Sequence, residues 1–186
     1  MAFSVSANAS GSADVTLLPM TMAARLQMFH DRVLAQDVAH PGYFELWERF
    51  RTACLEHGGI EVVPPLEVDA QLARLCSDAS YFDGVPTSLI TMHPSRCHAN
   101  VSSLWLRSEP DHDPVMMIGT GYALSKDGLW RQHSWGHTRN GALIETTSLR
   151  EAMYGIVLHG TDSAMFAVAN NPELAAELAV SYTTAE

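Results

Sequence analysis

Charged residues are scarce in this sequence, and basic residues are the scarcest of them. Asp, Glu, Lys and Arg make up 17% of the 186 residues, and 21 acidic residues outnumber 11 basic ones, which gives a formal net charge of −10. The sequence contains no cluster of Lys and Arg, and a negative field of this kind repels nucleic acid and anionic lipid. We therefore exclude nucleic-acid binding and expect the overall field to favour neutral or cationic ligands mildly.

Cysteine is equally sparse, and long apolar runs are missing. The three cysteines, Cys54, Cys76 and Cys97, are odd in number and have no paired spacing, so no disulfide framework is expected and a reducing, cytoplasmic compartment is predicted. The N-terminal residues lack the basic and apolar regions of a signal peptide. The longest apolar runs are far shorter than the ~20 residues that a membrane span requires, so no membrane association is expected.

The hydrophobic content is nevertheless sufficient for a domain with a real core. Hydrophobic residues form 47% of the chain, and this fraction at this length predicts one domain. Residues 1–14 are mostly small and polar, which is typical of a disordered arm. We therefore predict a disordered arm at 1–14 and a single domain at 15–186.

Apolar spacing and turn residues predict helices on both sides of a group of strands. Helices are predicted at about 22–36, 43–57, 68–78, from 95 or 96 to 106, 149–158, 162–169 and 172–182. Strands are predicted at 61–63, 88–92, 115–124, 129–137 and 142–147, with hairpin turns at Lys126-Asp127-Gly128 and Asn140-Gly141. N-terminal helices, a Cys-bearing helix, a small antiparallel meander and C-terminal helices together predict an α+β fold rather than alternating βαβ units.

Three residues in this order could form a thiol-based catalytic site. Cys97 follows a Pro-Ser turn where a helix is predicted to begin, and N–H groups and the helix dipole at that position lower the pKa of a thiol. His133 lies in a predicted strand between two tryptophans, and Glu145 lies in the next strand. Thiol, imidazole and carboxylate can act as nucleophile, base and the group that orients the base. Each also has an ordinary structural interpretation, as a buried thiol, a core imidazole or a solvent-facing acid.

The register between the last two strands decides whether this triad can form. A strict two-residue turn at Asn140-Gly141 would pair Glu145 with Gly136 and point the carboxylate away from His133. A three-residue loop with Gly141 as a bulge would pair Glu145 with Trp135 and place both side chains on one face of the sheet. The sequence is compatible with either register.

The same residues resemble a known family. His133-Ser134-Trp135 is similar to the His-x-Trp of the transglutaminase-like branch of the papain-like thiol enzymes, and Glu145-Thr146-Thr147 is similar to its Asp-Pro-Thr. The resemblance covers roughly residues 92–148. It departs from the family pattern in having His98 directly after the Cys, and Glu in place of Asp. It implies a papain-like or transglutaminase-like fold and a Cys–His–acid site, with no metal and no organic cofactor.

The resulting prediction is a cysteine hydrolase or acyltransferase that acts on a small molecule or a peptide. Cys97 is the predicted nucleophile, His133 the base and Glu145 its orienting acid. The predicted oxyanion donor is the backbone N–H of Cys97. Further candidates for contact with the oxyanion or the substrate are Asn100, Tyr122, Trp135 and His98, and His98 is also the next candidate for the base.

Two other functions are compatible with the same residues. Zinc could be bound by a subset of five possible ligands, namely His93, Cys97, His98, His133 and His137. His133 and His137 share a strand face, but strand rise separates them by about 13 Å, too far to bind one ion together. Alternatively, the nine Met residues and few charges would suit a non-catalytic binding or assembly module.

Overall fold

The computed structural model describes residues 20–108 and 115–183, which form six helices and seven strands. The helices are α1 (Met22–Ala39), α2 (Tyr43–Glu56), α3 (Leu72–Asp78), α4 (Cys97–Leu106), α5 (Thr161–Asn170) and α6 (Pro172–Thr183). The strands are β1 (Glu61–Val62), β2 (Ser80–Phe82), β3 (Thr87–Leu89), β4 (Met117–Leu124), β5 (Leu129–His137), β6 (Leu143–Glu145) and β7 (Ala152–Leu158). The predicted α+β class is confirmed. The predicted arm at 1–14 lies outside the described residues.

The sheet is larger than the predicted meander. Its strand order is β2-β7-β4-β5-β6-β3, with β1 paired to β5. The pairs β4–β5 and β5–β6 are antiparallel, as predicted, but β1–β5 and β3–β6 are parallel. The sheet is therefore mixed, and three of its strands come from the chain between α2 and α4.

The prediction of a helix at 149–158 is wrong, because this segment contains β7. β7 pairs along β4 from Ala152 opposite Leu124 to Leu158 opposite Ile118. Most of its residues are buried, so the alternation of polar and apolar residues that marks a half-exposed strand is missing. β7 and β4 pack closely at Gly155, since a Cβ at this position would lie 2.3 Å from the carbonyl oxygen of Thr120.

One edge of β5 is only partly occupied by strands. β4 pairs with β5 over its whole length on one side. On the other side β1 reaches only Leu129 and Trp130, and β6 pairs only with Gly136 and His137. The middle of this edge, residues 131–135, lies between the two short strands and is the place where the start of α4 meets the sheet.

The helices cover one face of the sheet with an aromatic core. Trp47 and Phe50 of α2 pack against Tyr122 of β4, with ring centroids 6.1 and 4.8 Å from that of Tyr122. Trp130 of β5 belongs to the same core and is completely buried. In the part of the chain that the structure describes, none of the helices has the length and apolar content of a membrane span.

Candidate active site

Cys97 is the first residue of α4, and its sulfur faces the open part of the β5 edge. The chain enters the helix through Ser95, which has a positive φ of 59°, and no side chain caps the first turn. Burial raises the pKa of the Cys97 thiol, but the hydrogen bond and charge of His133, with the N–H groups of Ser134 and His98, outweigh burial and lower it below its usual value. At the start of this helix, Cys97 therefore has a cationic imidazole and backbone N–H groups that stabilise a thiolate.

The thiol pKa of each of the other two cysteines is raised. Cys54 is completely buried in the core beneath the sheet, and burial raises the pKa of its thiol well above the ordinary range. Cys76 donates a hydrogen bond to the carbonyl oxygen of Leu46, and burial also raises its thiol pKa. Cys97 alone among the three has a lowered thiol pKa, so it is the candidate nucleophile.

His133 joins Cys97 to Glu145. The residue is 2% exposed, and its Nε2–H donates to Oε2 of Glu145 at 2.7 Å. Nδ1 is then the ring nitrogen that remains for Cys97. Burial lowers the pKa of His133, but hydrogen bonds and charge from Cys97 and Glu145 prevail and raise it above its usual value. The arrangement favours an imidazolium beside a thiolate.

The β5–β6 connection has the register that the triad requires. Gly136 pairs with Ile144 and His137 with Leu143, so Glu145 lies opposite Trp135. The N–H of Thr138 donates to the carbonyl oxygen of Ala142, which leaves a three-residue loop that ends in Gly141 at a φ of 82°. The predicted contact between Glu145 and His133 is therefore confirmed.

Glu145 is completely buried, and both of its oxygens are hydrogen-bonded. Oε1 accepts from the N–H of Thr146 at 2.8 Å, and from the N–H and Oγ1 of Thr147 at 2.8 and 2.9 Å. Burial raises the pKa of this carboxyl, but His133 and Thr147 outweigh burial and hold it below its usual value. Glu145 is thus an ionised acid held in place by the two residues that follow it.

Sequence reasoning missed the role of Thr147, although the residue stood in the motif that was compared with Asp-Pro-Thr. A hydroxyl two residues after a buried acid can reach back to that acid, a local contact typical of Thr near carboxylates. This spacing was the available signal. The Ser134 N–H donor to Cys97 had no comparable signal, because it depends on where α4 meets β5.

His98 follows Cys97 in the first turn of α4 and lies in a different environment. Its Nδ1–H donates to Oγ of Ser134 at 2.7 Å, and the Ser134 hydroxyl donates to Oγ1 of Thr120 at 2.9 Å. Burial, and secondarily the charge of His133, lower the pKa of His98 to about 4. His98 is therefore neutral near pH 7 and is a poorer candidate for the base than His133.

Three further predicted site residues have other positions or roles. Asn100 is buried and its Nδ2 donates to the carbonyl oxygen of His93 at 2.8 Å, so it braces the loop before Cys97. Tyr122 and Trp135 are completely buried, one in the helix-covered core and one in the smaller core on the opposite face. Neither side chain reaches the surface, so the predicted contact of Tyr122 and Trp135 with substrate or oxyanion has no support in this structure.

The candidate zinc ligands do not converge. Among residues 20–108 and 115–183, no group of three His, Cys, Asp or Glu side chains could hold a metal ion together. Nε2 of His133 is bound to Glu145, and Nε2 of His137 accepts a hydrogen bond from Trp135 at 2.9 Å. The geometry therefore favours thiol chemistry over metal binding for these residues.

Comparison of the chain with protein-family models, with curated proteins and with solved structures gave no match. The functional argument consequently depends on the geometry of Cys97, His133 and Glu145.

Proposed function

We propose that this protein is a cysteine-dependent acyltransferase or amide or thioester hydrolase, and that Cys97, His133 and Glu145 are its catalytic triad. The observation that carries the proposal is the buried His133–Glu145 hydrogen bond on one side of a histidine whose other side meets the only thiol with a lowered pKa. A core imidazole does not require a carboxylate, and a core thiol does not require an imidazole. Their joint presence is the pattern of an activated nucleophile.

In the proposed mechanism the Cys97 thiolate attacks the carbonyl carbon of the substrate and the C=O electron pair moves onto oxygen. Collapse of this intermediate breaks the bond to the leaving group, which takes the proton from Nδ1 of the His133 imidazolium. An acyl-thioester remains on Cys97. Water or an amine then attacks the thioester, gives its proton to Nδ1 of His133, and releases the acyl product and the Cys97 thiolate.

Glu145 acts through His133 and does not exchange a proton. Its hydrogen bond to Nε2–H directs Nδ1 towards Cys97, and its negative charge stabilises the imidazolium. The backbone N–H of Cys97, in the uncapped first turn of α4, is the proposed oxyanion donor. Asn100 is not proposed for this role because its amide is bound to His93.

The proposed substrate is a small molecule or a peptide, as the sequence predicts. The proposed structural relationship is to the transglutaminase-like branch of the papain-like enzymes. Three free cysteines in the described residues suit the proposed cytoplasmic location. No metal or organic cofactor takes part in the proposed steps.

Selective alkylation tests the proposal. Iodoacetamide at pH 6.5 should modify Cys97 stoichiometrically and leave Cys54 and Cys76 unmodified, as read by peptide mass spectrometry. Incubation with a panel of acyl thioesters should then give an acyl mass shift on Cys97 in the wild type and none in Cys97→Ser, which keeps the side-chain volume. Alkylation of Cys97 no faster than that of a free thiol at this pH would contradict the proposal and favour a non-catalytic binding module.

A further inference from the structure

A cleft of about 660 Å³ borders the half of the proposed triad that holds His133 and Glu145. It lies between the β4–β5 turn and the segment that follows β6, and Arg131 and Thr147 are part of its wall. Arg131 precedes His133 by two residues on β5 and therefore shares its face of the sheet. Thr147 donates directly to Glu145. A molecule in this cleft would therefore lie next to the residues that support the nucleophile.

The charge of the cleft is opposite to that of the protein. The chain has only 11 basic residues and a net charge of −10, yet three of those basic residues, Lys126, Arg131 and Arg150, line this one cleft. Its one acidic residue, Asp127, accepts two hydrogen bonds from Arg131, at 2.7 and 2.6 Å. This pair is neutral as a unit, so Lys126 and Arg150 leave the cleft with an excess of positive charge.

Arg150 is a half-buried cation without a counterion in the described part of the chain. It donates to Oγ of Ser125 at 2.8 Å and to Oγ1 of Thr147 at 3.4 Å, and both acceptors are neutral hydroxyls. Its Nε is buried and has no hydrogen-bond acceptor among the described residues. A guanidinium removed from water without a compensating charge is unfavourable unless an anion approaches it.

The cleft also offers apolar surface beside its cations. Leu89 and Leu149 line it and are 44% and 53% exposed. An anionic group carried on an aliphatic segment would match both features.

We infer that this cleft is an anion-binding subsite that takes a carboxylate or phosphate group of the substrate. That the bound anion belongs to a substrate rests on the proposed function, whereas the anion site itself rests on the charges of Lys126 and Arg150 in the cleft and on the contacts of Arg150. It refines the expectation from net charge, since the local field at the cleft is opposite to the overall one. Arg150 also links the site to the triad through Thr147.

Anion binding can be measured without any catalytic activity. In ¹⁵N-labelled Cys97→Ser protein, the Nε–H signal of Arg150 should move saturably on titration with inorganic phosphate or with acetate, relative to sodium chloride at equal ionic strength. Lys126→Gln should weaken this binding about tenfold, as expected for the loss of a charge-assisted contact. The matched control Arg107→Gln removes the same charge from an exposed position outside the cleft and should leave the binding unchanged.

The outcomes separate the subsite from the catalytic proposal. The tighter of the two anions identifies the group that the site prefers. An Arg150 signal that follows chloride alone, or an equal weakening in Arg107→Gln and Lys126→Gln, would overturn the inference. Saturable binding together with an unreactive Cys97 in the wild type would leave the anion site standing and remove the proposed function.

Discussion

Two histidines lie near Cys97, His133 against its thiol and His98 next to it in sequence, and the two imidazoles are held in opposite ways. His133 donates to the carboxylate of Glu145, and its pKa is raised. His98 donates to the hydroxyl of Ser134, and its pKa is lowered to about 4. Both rings are largely removed from water, so burial acts on both in the same direction. The difference comes from what each ring is bonded to.

This contrast shows what is needed to keep an imidazolium inside a protein. Burial favours the neutral ring, as it does at His98, and a neutral hydroxyl does not reverse that preference. A carboxylate reverses it only if the carboxylate itself stays ionised. The N–H groups of Thr146 and Thr147 and the Thr147 hydroxyl provide that condition, because they bind the oxygen of Glu145 that His133 does not use.

Exchanging each histidine for alanine is the strongest test of the contrast. In His133→Ala, the thiol of Cys97 should return to an ordinary pKa near ~8.5, and its alkylation at pH 6.5 should fall about 100-fold. In His98→Ala, the rate should change less than about twofold, because a neutral ring does not stabilise the thiolate. The measurement is the pH profile of iodoacetamide alkylation at Cys97. Equal losses in the two variants would mean that both rings stabilise the thiolate, and the contrast between them would be wrong.

Removing the charge of Glu145 should produce the next largest effect. In Glu145→Gln, the amide oxygen can keep the three contacts to Thr146 and Thr147, but its NH2 group then faces Nε2 of His133. The imidazole would have to accept at Nε2 and carry its proton on Nδ1, so it could not accept the proton of Cys97. Alkylation at pH 6.5 should fall about 30-fold, because the thiol pKa of Cys97 rises when its imidazolium partner is lost.

The stability of Glu145→Gln serves as the control for this interpretation. The folded structure should be retained, as judged by circular dichroism and urea unfolding, because the substitution keeps the side-chain shape. A variant that folds normally and keeps wild-type reactivity at Cys97 would show that Glu145 only fills space behind His133.

Local sequence patterns predicted the elements that carry the triad, but not the environment around them. The turns at Lys126-Asp127-Gly128 and Asn140-Gly141 and the break before Cys97 located β4, β5, β6 and α4. Each of these signals lies within a few residues of the element that it defines. The register of Glu145 remained open because it depended on whether Gly141 took a positive φ as a bulge, and both turns use the same residue types.

Features that depend on distant packing could not be predicted. Tyr122 and Trp135 alternate as strand residues should, but only the complete sheet shows that layers cover both faces and bury them. The segment 149–158 has no alternation of polar and apolar residues, because β7 is buried on both faces, and its sequence therefore predicts a helix instead of a strand. The neutral state of His98 depends on Ser134, which lies 36 positions away in sequence.

The pH dependence of stability offers a milder test of the second kind of histidine, a buried ring that stays neutral. His137 is 5% exposed, and its Nε2 must be unprotonated to accept the indole N–H of Trp135. Burial, and secondarily His159, lower the pKa of His137 from 6.5 to about 4. At pH values between these two pKa values, the unfolded chain binds more protons than the folded one. The stabilisation is therefore present above pH 6.5 and is lost as the pH falls towards 4.

This loss should amount to about 2 kcal/mol of unfolding free energy from His137 between pH 7 and pH 5. Urea unfolding at the two pH values measures it. His137→Gln keeps an acceptor for Trp135 at every pH and should remove this contribution while that of His98 remains, whereas His40→Gln, at an exposed position after α1, should leave the pH dependence unchanged. An unchanged slope in His137→Gln would place the origin of the acid sensitivity elsewhere.

The smallest expected effect separates two neighbouring threonines that both contact Glu145. Both donate a backbone N–H to Oε1, but only Thr147 also donates its hydroxyl, at 2.9 Å, whereas the hydroxyl of Thr146 is buried without a partner among the described residues. Thr147→Val should therefore cost about 1 kcal/mol of unfolding free energy and slow alkylation of Cys97 about threefold, since one donor to the carboxylate is lost. Thr146→Val removes only an unsatisfied polar group and should be neutral or stabilising, with unchanged alkylation. Urea unfolding and alkylation rates at pH 6.5 on both variants measure the difference. If the two valine variants behaved alike, the Thr147 hydroxyl would not support the charge of Glu145, and the contrast between His133 and His98 would have to come from the two N–H donors alone.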